Sequence, residues 1–239
     1  MSALPRAGDP TPPPRPYDPR AVEIRLGAPR AWPACLAIDD GYTTSRMWQP
    51  VGHTLDDSVT GLTVPGGGRG ETDAPFSVTF QPLRLPRPIQ EPGLFTLRAP
   101  EARMAAWDAA ACVLVAGPPR PAPADPPTAD AEVPLELWAY VVLNGVPGAG
   151  LAWIAELVVA GPHRRRGLGR MLLDAARAWA RSAPEQGGAG GLRALMVELS
   201  PRNYPAIAFC RGAGFRFAGY TDYTLTGGDI RLFFIRPTD

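Results

Sequence analysis

The clearest pattern of apolar and polar positions lies in the second half of the chain. Residues 151–159 (LAWIAELVV) are apolar on both alternating faces apart from Glu156, which predicts a strand that is covered on both sides. By strict alternation, Ile154 and Glu156 share one face of this strand and Leu157 lies on the other. Residues 167–181 instead place apolar side chains at helical spacing, which predicts a helix that packs on the sheet.

The remaining predicted elements are shorter and complete a mixed arrangement. Short apolar or alternating runs predict strands at 22–26, 76–80, 111–116, 135–143, 192–199, 215–220 and 230–235, and a second helix at about 203–211. Residues 29–41 have helical character that Pro33 interrupts, and the RLPRP stretch is expected to end the strand before it. The order strand, helix, strand, helix, strand, strand in the last part of the chain predicts an α/β fold with a mixed sheet.

Proline-rich stretches mark the domain organisation. Residues 1–20 contain seven prolines and few apolar residues, which predicts a disordered tail. Residues 117–134 form a second such stretch, which we interpret as an extended hairpin loop because neither flank alone could build a core; a linker between two domains is the alternative. The glycines of residues 60–75 predict another mobile loop. A single domain from 21 to 239 is therefore expected behind the tail.

Composition and charge narrow the classes of function. A net charge of +1 gives no whole-surface attraction to nucleic acid or membrane, and no apolar run approaches the ~20 residues that span a bilayer. The three cysteines cannot all pair and have no histidine at a metal-ligand spacing, so we expect a reduced, cytoplasmic protein without a metal. All 24 basic residues are arginines, which biased codon usage explains, so only position can indicate an anion site.

The segment RRRGLG at 164–169 joins the strand to the helix and indicates such an anion site. A glycine inside a helix costs about 1 kcal/mol relative to alanine, so Gly167 and Gly169 suggest that something approaches the backbone closely. A helix start offers free N–H groups, and preceding arginines can donate charge-assisted hydrogen bonds to phosphate. A solvated arginine cluster is the alternative. Neither a P-loop nor a dinucleotide motif is present, since no Gly-Lys-Ser/Thr follows and the third glycine position is Leu172.

Two motifs in this region resemble those of the GNAT acetyltransferase superfamily. The segment at 164–169 resembles its coenzyme A signature, Arg/Gln-x-x-Gly-x-Gly/Ala. Residues 198–215 (ELSPRNYPAIAFCRGAGF) resemble its later motif, a strand ending in an acid, then Asn-x-x-Ala, an aromatic residue and Gly-Phe. The resemblance extends from about residue 133 to the C-terminus. The closing GFRFAGYTDY and DIRLFF stretches are more loosely similar to streptothricin acetyltransferase-type members.

The resemblance implies a fold and a reaction. The fold is the GNAT-type acyl-CoA N-acyltransferase fold, in which two central parallel strands splay apart around acetyl-CoA. The reaction is direct transfer of the acetyl group from acetyl-CoA to an amine of a small molecule, a peptide or a protein, and family precedent allows a homodimer. An acyl-CoA-binding sensor without turnover is the alternative. A nucleic-acid binder is a third hypothesis, which the near-zero net charge disfavours.

The resemblance also implies a set of cofactor-binding residues. The backbone of residues 157–159 would pair with the pantetheine arm, and N–H groups around the start of the helix would bind the pyrophosphate. Asn203 would hydrogen-bond the pantetheine arm, although a helix N-cap is a compatible interpretation. The complete set is Leu157, Val158, Val159, Arg164, Arg165, Arg166, Gly167, Leu168, Gly169, Arg170, Asn203, Ala206 and Phe209.

Acetyl transfer needs a base for the amine, an N–H group for the carbonyl and an acid for the leaving thiolate. The resemblance implies Glu198 as the base, since its spacing before Asn203 is that of the base in ribosomal-protein N-terminal acetyltransferases. Glu156 is the other candidate, and a structural carboxylate, at the surface or paired with an arginine, is the alternative for each. Cys210 lies where many family members have a tyrosine acid, but a small buried hydrophobe is the competing interpretation, so we expect Cys210 to be dispensable. Solvent or another tyrosine could replace it; the tyrosines considered are Tyr204, Tyr220 and Tyr223.

The acceptor side is expected in the N-terminal half. Residues 39–48 (DDGYTTSRMW) mix carboxylates with aromatic side chains, a suitable wall for a cationic amine, and an ordinary helix-to-loop transition is the alternative. His53 and His163 are the only histidines, so a mechanism based on a histidine dyad or a metal has little support from the composition. We expect His163 to lie beside the phosphate loop.

Overall fold

The computed structural model describes residues 16–51, 78–93, 98–119, 135–146, 149–183, 191–222 and 229–239. Within these residues the chain forms a seven-stranded sheet, a separate two-stranded sheet and four α-helices. The first fifteen residues of the predicted tail, the predicted loop at 60–75 and most of the proline-rich stretch at 117–134 lie outside the described residues.

The helices and strands alternate along the chain as expected for a mixed α/β fold. The helices are α1 (Trp32–Leu36), α2 (Pro100–Asp108), α3 (Leu168–Ser182) and α4 (Tyr204–Gly212). The strands are β1 (Glu23–Leu26), β2 (Tyr42–Val51), β3 (Thr79–Glu91), β4 (Cys112–Gly117), β5 (Ala139–Val146), β6 (Leu151–Val159), β7 (Ala194–Leu199), β8 (Arg216–Thr221) and β9 (Arg231–Pro237). The main sheet has the order β1-β4-β5-β6-β7-β9-β8, and β2 pairs with β3. Every neighbouring pair is antiparallel except β6 and β7, which are parallel.

Helices cover both faces of the main sheet. On one face, α3 and α4 bury an apolar stripe that includes Leu172 and Ile207, together with the inner side chains of the central strands. On the other face, α1 and α2 form a second core that contains Trp32 and Trp107. The prediction that 151–159 is a strand covered on both sides is therefore correct. None of the helices in the described residues has the length and apolar composition to cross a bilayer.

A β-bulge at Ala155 changes the predicted faces of β6. The pairing with β5 passes from Glu156 directly to Ile154, so Ala155 is the extra residue. Ile154 and Leu157 consequently pack in the same core, on the side of α3 and α4. Glu156 instead contacts Arg103 of α2 on the opposite side. Strict alternation predicted the wrong faces because one inserted residue inverts the alternation beyond it.

The N-terminal half departs most from the sequence prediction. Residues 42–48 belong to β2, where an ordinary helix-to-loop transition was the alternative. β3 runs through the RLPRP stretch that was expected to end a strand. Proline is tolerated in this ribbon because each strand has an unpaired edge, where no ladder N–H is needed. Pro33 likewise does not interrupt α1, since it occupies the first turn, where the missing N–H has no helical partner.

The structured region begins before the predicted boundary at residue 21. Residues 16–20 are described, and Pro19–Ala21 form a 3₁₀ turn. The backbone N–H of Tyr17 donates a hydrogen bond to the carbonyl of Arg166, 3.0 Å away. The last residues of the predicted tail therefore contact the segment that precedes α3.

Candidate active site

The two central parallel strands separate partway along their length. β6 and β7 pair from Leu151 with Ala194 to Ile154 with Val197, and the pairing then stops, although both strands continue. The opposite edge of β6 remains paired with β5 as far as residue 159. From residue 155 onward, the edge of β6 that faces β7 thus has no strand partner within the described residues. This is the splay that the family resemblance implies, and it exposes backbone groups to an extended ligand.

A cavity of about 470 Å³ occupies the gap between the strands. This volume is within the usual range for ligand sites, about 300–1,000 Å³. The predicted site residues that line the cavity are Glu156, Leu157, Val158, Val159, Arg164, Arg165, Gly167, Leu168, Gly169, Arg170, Glu198, Asn203, Ala206, Phe209 and Cys210. Arg166 is the one member of the predicted set that does not line it.

The cavity also contains residues that were not assigned to the site from the motifs. Asp40, Gly41 and Tyr42 come from the predicted acceptor segment, and His163 lies beside the phosphate loop as expected. The wall is completed by Gly93, Ile154, Ala155, Leu173, Val197, Leu199, Ser200 and Pro205. The position of Gly93 in the cavity wall could not be predicted from the sequence, because it depends on the pairing of β2 with β3.

The turn before α3 forms a concave group of backbone donors. Arg165 and Gly167 both have positive φ angles, 62° and 89°, which turn successive N–H groups toward one side. The N–H groups of Arg165, Gly167, Leu168 and Gly169 have no acceptor in the described part of the chain, and all four residues line the cavity. The positive end of the α3 dipole lies at the same place. This arrangement suits an anion such as a pyrophosphate.

The two glycines of the motif are required for different reasons. Gly167 has a left-handed conformation that side chains disfavour, although a Cβ there would meet no atom within 4 Å. A Cβ on Gly169 would lie 3.2 Å from the ring of Phe209 and 3.7 Å from Val159. Gly167 therefore permits the backbone turn, and Gly169 lets α3 approach α4 and β6. The prediction that both glycines admit a ligand stays a prediction.

Arg164 connects the N-terminal half to the end of β6. Its Nε donates to the carbonyl of Val159 at 2.8 Å, and its terminal nitrogens donate to the carbonyls of Gly41 at 2.7 Å and Asp39 at 2.8 Å. Each nitrogen of the guanidinium thus has a backbone acceptor. The side chain holds residues 39–41 against the cavity, and its predicted contact with the cofactor stays a prediction.

The other basic residues of the motif have distinct surroundings. The guanidinium of Arg166 lies over the ring of Tyr17, 3.8 Å from its centroid, and donates to its hydroxyl at 2.9 Å. Arg170 donates to the carbonyl of Gly212 at 2.6 Å. Arg165 is exposed at the cavity, and its side chain makes no hydrogen bond or ion pair within the described residues. Of the three consecutive arginines, Arg165 is consequently the best placed to donate to a phosphate.

Asn203 begins α4 as its N-cap. Its Oδ1 accepts a hydrogen bond from the backbone N–H of Ala206 at 3.1 Å. Because the oxygen is used by the cap, the side-chain amide nitrogen remains as a donor, and the residue lines the cavity. The N-cap interpretation is therefore correct, and it leaves the predicted hydrogen bond to a ligand available.

Two glutamates line the cavity in different environments. Glu198, on β7, pairs with Arg231 at 3.4 Å, and their side chains are 35% and 25% exposed. Glu156 is 3% exposed; its Oε2 accepts from the hydroxyl of Tyr140 at 2.9 Å and lies 3.5 Å from Arg103. Burial and the charge of Glu156 raise the pKa of Tyr140 well above its usual value, so this hydroxyl stays protonated and donates. Glu156 therefore belongs to a fixed, buried network, whereas Glu198 has access to solvent.

Cys210 is a weak candidate for the general acid. Burial raises the pKa of this thiol to about 12, whereas an ordinary thiol has a pKa near 8.5. A proton held that tightly is not readily given to a thiolate, so burial favours the small-hydrophobe interpretation. Tyr204 and Tyr220 do not line the cavity, and Tyr223 lies outside the described residues.

Tyr42 lines the cavity and was not considered as an acid from the sequence. Burial, with a further contribution from Glu91, raises the pKa of Tyr42 to about 12. Its hydroxyl therefore stays protonated at neutral pH and can donate a hydrogen bond. No group of three or more His, Cys, Asp or Glu side chains that could hold a metal occurs in the described parts of the chain.

Comparisons with known proteins agree with this geometry. Residues 121–215 match the family model described as the acetyltransferase (GNAT) family. Nourseothricin acetyltransferase superposes with a TM-score of 0.61 at 20% identity, covering 92% of this chain and 99% of that one. A candidate streptothricin acetyltransferase from Bacillus anthracis str. Ames, solved with acetyl coenzyme A, gives 0.58 at 14% identity, covering 91% and 99%. No curated protein matches the sequence. The predicted GNAT resemblance and fold are confirmed.

The separate surroundings of the arginines lead to a first prediction. Arg165→Gln should weaken coenzyme A binding about 10- to 100-fold, because hydrogen bonds to charged groups contribute roughly 1.5–3 kcal/mol, and should leave the melting temperature unchanged. Arg164→Gln should lower the melting temperature, since three backbone carbonyls lose their donor. Calorimetric titration and thermal melting measure the two effects. The exposed Arg216, outside the cavity, supplies the control Arg216→Gln, and an equal loss of affinity there would show that only net charge matters.

The buried cysteines lead to a second prediction. Burial raises the pKa values of Cys35, Cys112 and Cys210 to about 12, 11 and 12, so their reactive thiolates form only above about pH 11. A disulfide reagent at pH 8 should label none of them in the folded protein and all three in urea. Cys210→Ala should keep acetyl transfer within about threefold of the unmodified protein. Rapid labelling of Cys210 at pH 8, or loss of turnover with normal coenzyme A binding, would contradict this assignment.

Proposed function

We propose that this protein, which carries the GNAT acetyltransferase segment 121–215, transfers the acetyl group of acetyl-CoA to an amine of a small cationic molecule of the streptothricin class. The observation that carries the proposal is the cavity at the splay between β6 and β7. Backbone donors for an anion line that cavity together with the acidic residues Asp40 and Glu198, whereas the carboxylate of Glu156 is paired with Arg103. A pyrophosphate needs the first feature, and a cationic acceptor is favoured by the second.

The cofactor fits the donor groups that the cavity offers. The N–H groups from Arg165 to Gly169 would bind the pyrophosphate, with Arg165 adding a charge-assisted hydrogen bond. The free edge of β6 at residues 157–159 would pair with the amides of the pantetheine arm, and the amide nitrogen of Asn203 would donate to it. Acetyl-CoA supplies the activated thioester, and the protein supplies orientation, N–H donors and a base.

Glu198 is the better base of the two cavity glutamates. Its ion pair with Arg231 is partly exposed, and exposed pairs are weak, so the carboxylate can take a proton and exchange it with solvent. Removing the charge of Glu156 would break a buried pair with Arg103, which is strongly unfavourable. Glu198 would accept the proton of the attacking amine, directly or through a water. The nitrogen then bonds to the carbonyl carbon, the carbon–sulfur bond breaks, and solvent protonates the thiolate, to which the protonated hydroxyl of Tyr42 can donate a hydrogen bond.

The acceptor assignment rests on the N-terminal half. Residues 40–42 form part of the cavity wall, held there by Arg164, and Asp40 adds a carboxylate. The two solved proteins that share nearly the whole length of this chain are named for nourseothricin and streptothricin. That likeness supports testing this class of antibiotic first. An amine of a peptide or protein is the alternative acceptor, and a sensor without turnover is disfavoured by the partly exposed Glu198 in the cavity.

An acceptor screen is the direct test of the proposal and our third prediction. Purified protein with acetyl-CoA is assayed by thiol release against nourseothricin, a polyamine, a lysine-containing peptide and a neutral arylamine. We expect nourseothricin to give the highest kcat/KM, with the neutral amine at least tenfold lower, because a charge pair at an effective dielectric near 20 contributes several kcal/mol. Mass spectrometry should show one added acetyl group. Turnover with the peptide alone would redirect the proposal, and coenzyme A binding without any turnover would favour the sensor.

The choice of base gives a fourth prediction. Glu198→Gln should lower kcat about 10²- to 10⁴-fold and leave the affinity for coenzyme A unchanged, because general-base catalysis contributes that much. Glu156→Gln should lower the melting temperature, since Arg103 would lose its buried partner. Glu101→Gln, at the exposed start of α2, is the matched control. If Glu156→Gln removes the acid limb of the pH–rate profile and Glu198→Gln does not, Glu156 is the base.

A further inference from the structure

We propose that Tyr17 is a positioning residue that holds the cofactor loop, residues 163–167, in the conformation that binds phosphate. Tyr17 lies far outside the family-matched segment 121–215, in the part of the chain that composition assigned to a disordered tail. The inference rests on the proposed function only in taking coenzyme A as the ligand of the loop.

The backbone of Tyr17 fixes one peptide plane of the loop. Its N–H donates to the carbonyl oxygen of Arg166 at 3.0 Å. The carbonyl of Arg166 and the N–H of Gly167 belong to the same planar, trans peptide and point in opposite directions. Holding the carbonyl toward Tyr17 therefore turns the N–H of Gly167 to the opposite side. Gly167 lines the cavity, and its N–H has no acceptor in the described residues.

The side chain of Tyr17 contacts the loop at two residues. Its hydroxyl hydrogen-bonds Nδ1 of His163, at the start of the loop. The same hydroxyl accepts from the guanidinium of Arg166, which lies 3.8 Å from the ring centroid. The rings of Tyr17 and His163 both stack on Trp138, with centroid distances of 5.1 Å and 4.8 Å. Tyr17 thus binds the loop at residues 163 and 166, on either side of Arg165.

The position between these two anchors is the strained one. Arg165 has a φ of 62°, the one positive φ at a non-glycine residue among those described. Such a conformation persists only where its surroundings enforce it. The contacts of Tyr17 with residues 163 and 166 enforce this conformation, because they fix both ends of the turn. Without them the loop can relax, and the N–H groups of Arg165 and Gly167 would no longer point together into the cavity.

Tyr17 also explains the position of the Arg166 guanidinium. Arg166 is the one predicted cofactor residue that does not line the cavity, and its side chain packs on the tyrosine ring. A guanidinium over an aromatic ring is attracted to the ring face. Arg166 therefore contributes to phosphate binding through the shape of the loop, and Arg165 through its side chain.

The test measures cofactor affinity and turnover in the full-length chain. Tyr17→Ala should raise the Kd for coenzyme A about tenfold or more, since one net hydrogen bond contributes about a factor of ten. The KM for acetyl-CoA should rise in parallel, whereas kcat at saturating acetyl-CoA and the KM for the acceptor should stay within twofold. Both variants keep the backbone N–H. Tyr17→Phe also keeps the ring but loses the hydroxyl hydrogen bonds to His163 and Arg166, so it should weaken coenzyme A binding by a smaller factor than Tyr17→Ala, and it is the variant of choice if Tyr17→Ala folds poorly.

Tyr220→Ala is the matched control, because Tyr220 is an exposed tyrosine that contacts neither the loop nor the cavity. Its coenzyme A affinity should equal that of the unmodified protein. If Tyr17→Ala binds coenzyme A as the unmodified protein does, the positioning role is wrong. A lowered melting temperature with unchanged Kd would also overturn it, since that is the result of a merely structural role. Failure of the unmodified protein to bind coenzyme A would instead refute the proposed function.

Discussion

The parting of β6 and β7 after Ile154 is the constraint on which the rest of the structure depends. Two parallel strands inside a sheet normally satisfy each other's backbone groups, and groups left unpaired need another partner. Here both strands continue past the last pair while β5 and β9 still hold their outer edges. The unpaired inner edges face a cavity that is also lined by the first turns of α3 and α4. The unpaired backbone groups of β6 and β7 at the centre of the sheet can therefore hydrogen-bond a ligand.

The bulge at Ala155 explains how one strand serves both sides of the sheet. Before it, Ile154 packs toward α3; after it, Leu157 packs the same way, and Glu156 contacts Arg103 and Tyr140 on the side of α2. A buried carboxylate is stable only with such partners, so α2 is needed where β6 carries a charge. The helix has little amphipathic pattern of its own. Its place in the fold follows from this polar contact and from the packing of Trp107, which the local sequence does not reveal.

The central strands and α3 could be predicted from the sequence because their signals are local. An apolar run of nine residues and a helical stripe fix β6 and α3 to within a residue, and the two motifs identify the residues of the cavity. What the sequence could not reveal depends on contacts distant in the chain. The β2–β3 ribbon, the hydrogen bonds of Arg164 to residues 39 and 41, and the contact of Tyr17 with Arg166 join positions that are distant in the chain, and they produce no periodic pattern in the sequence.

The three adjacent arginines show why a motif is not a single functional unit. Arg164 binds carbonyls of the N-terminal half, Arg166 packs on Tyr17, and Arg165 lines the cavity with no hydrogen bond or ion pair from its side chain within the described residues. Two of the three positive charges therefore act on the protein itself. Both attach N-terminal segments to the loop that precedes α3, Arg164 at the wall of the cavity and Arg166 outside it. The N-terminal half thus shapes the anion site as well as covering it, and a family segment confined to 121–215 omits half of what holds that site together.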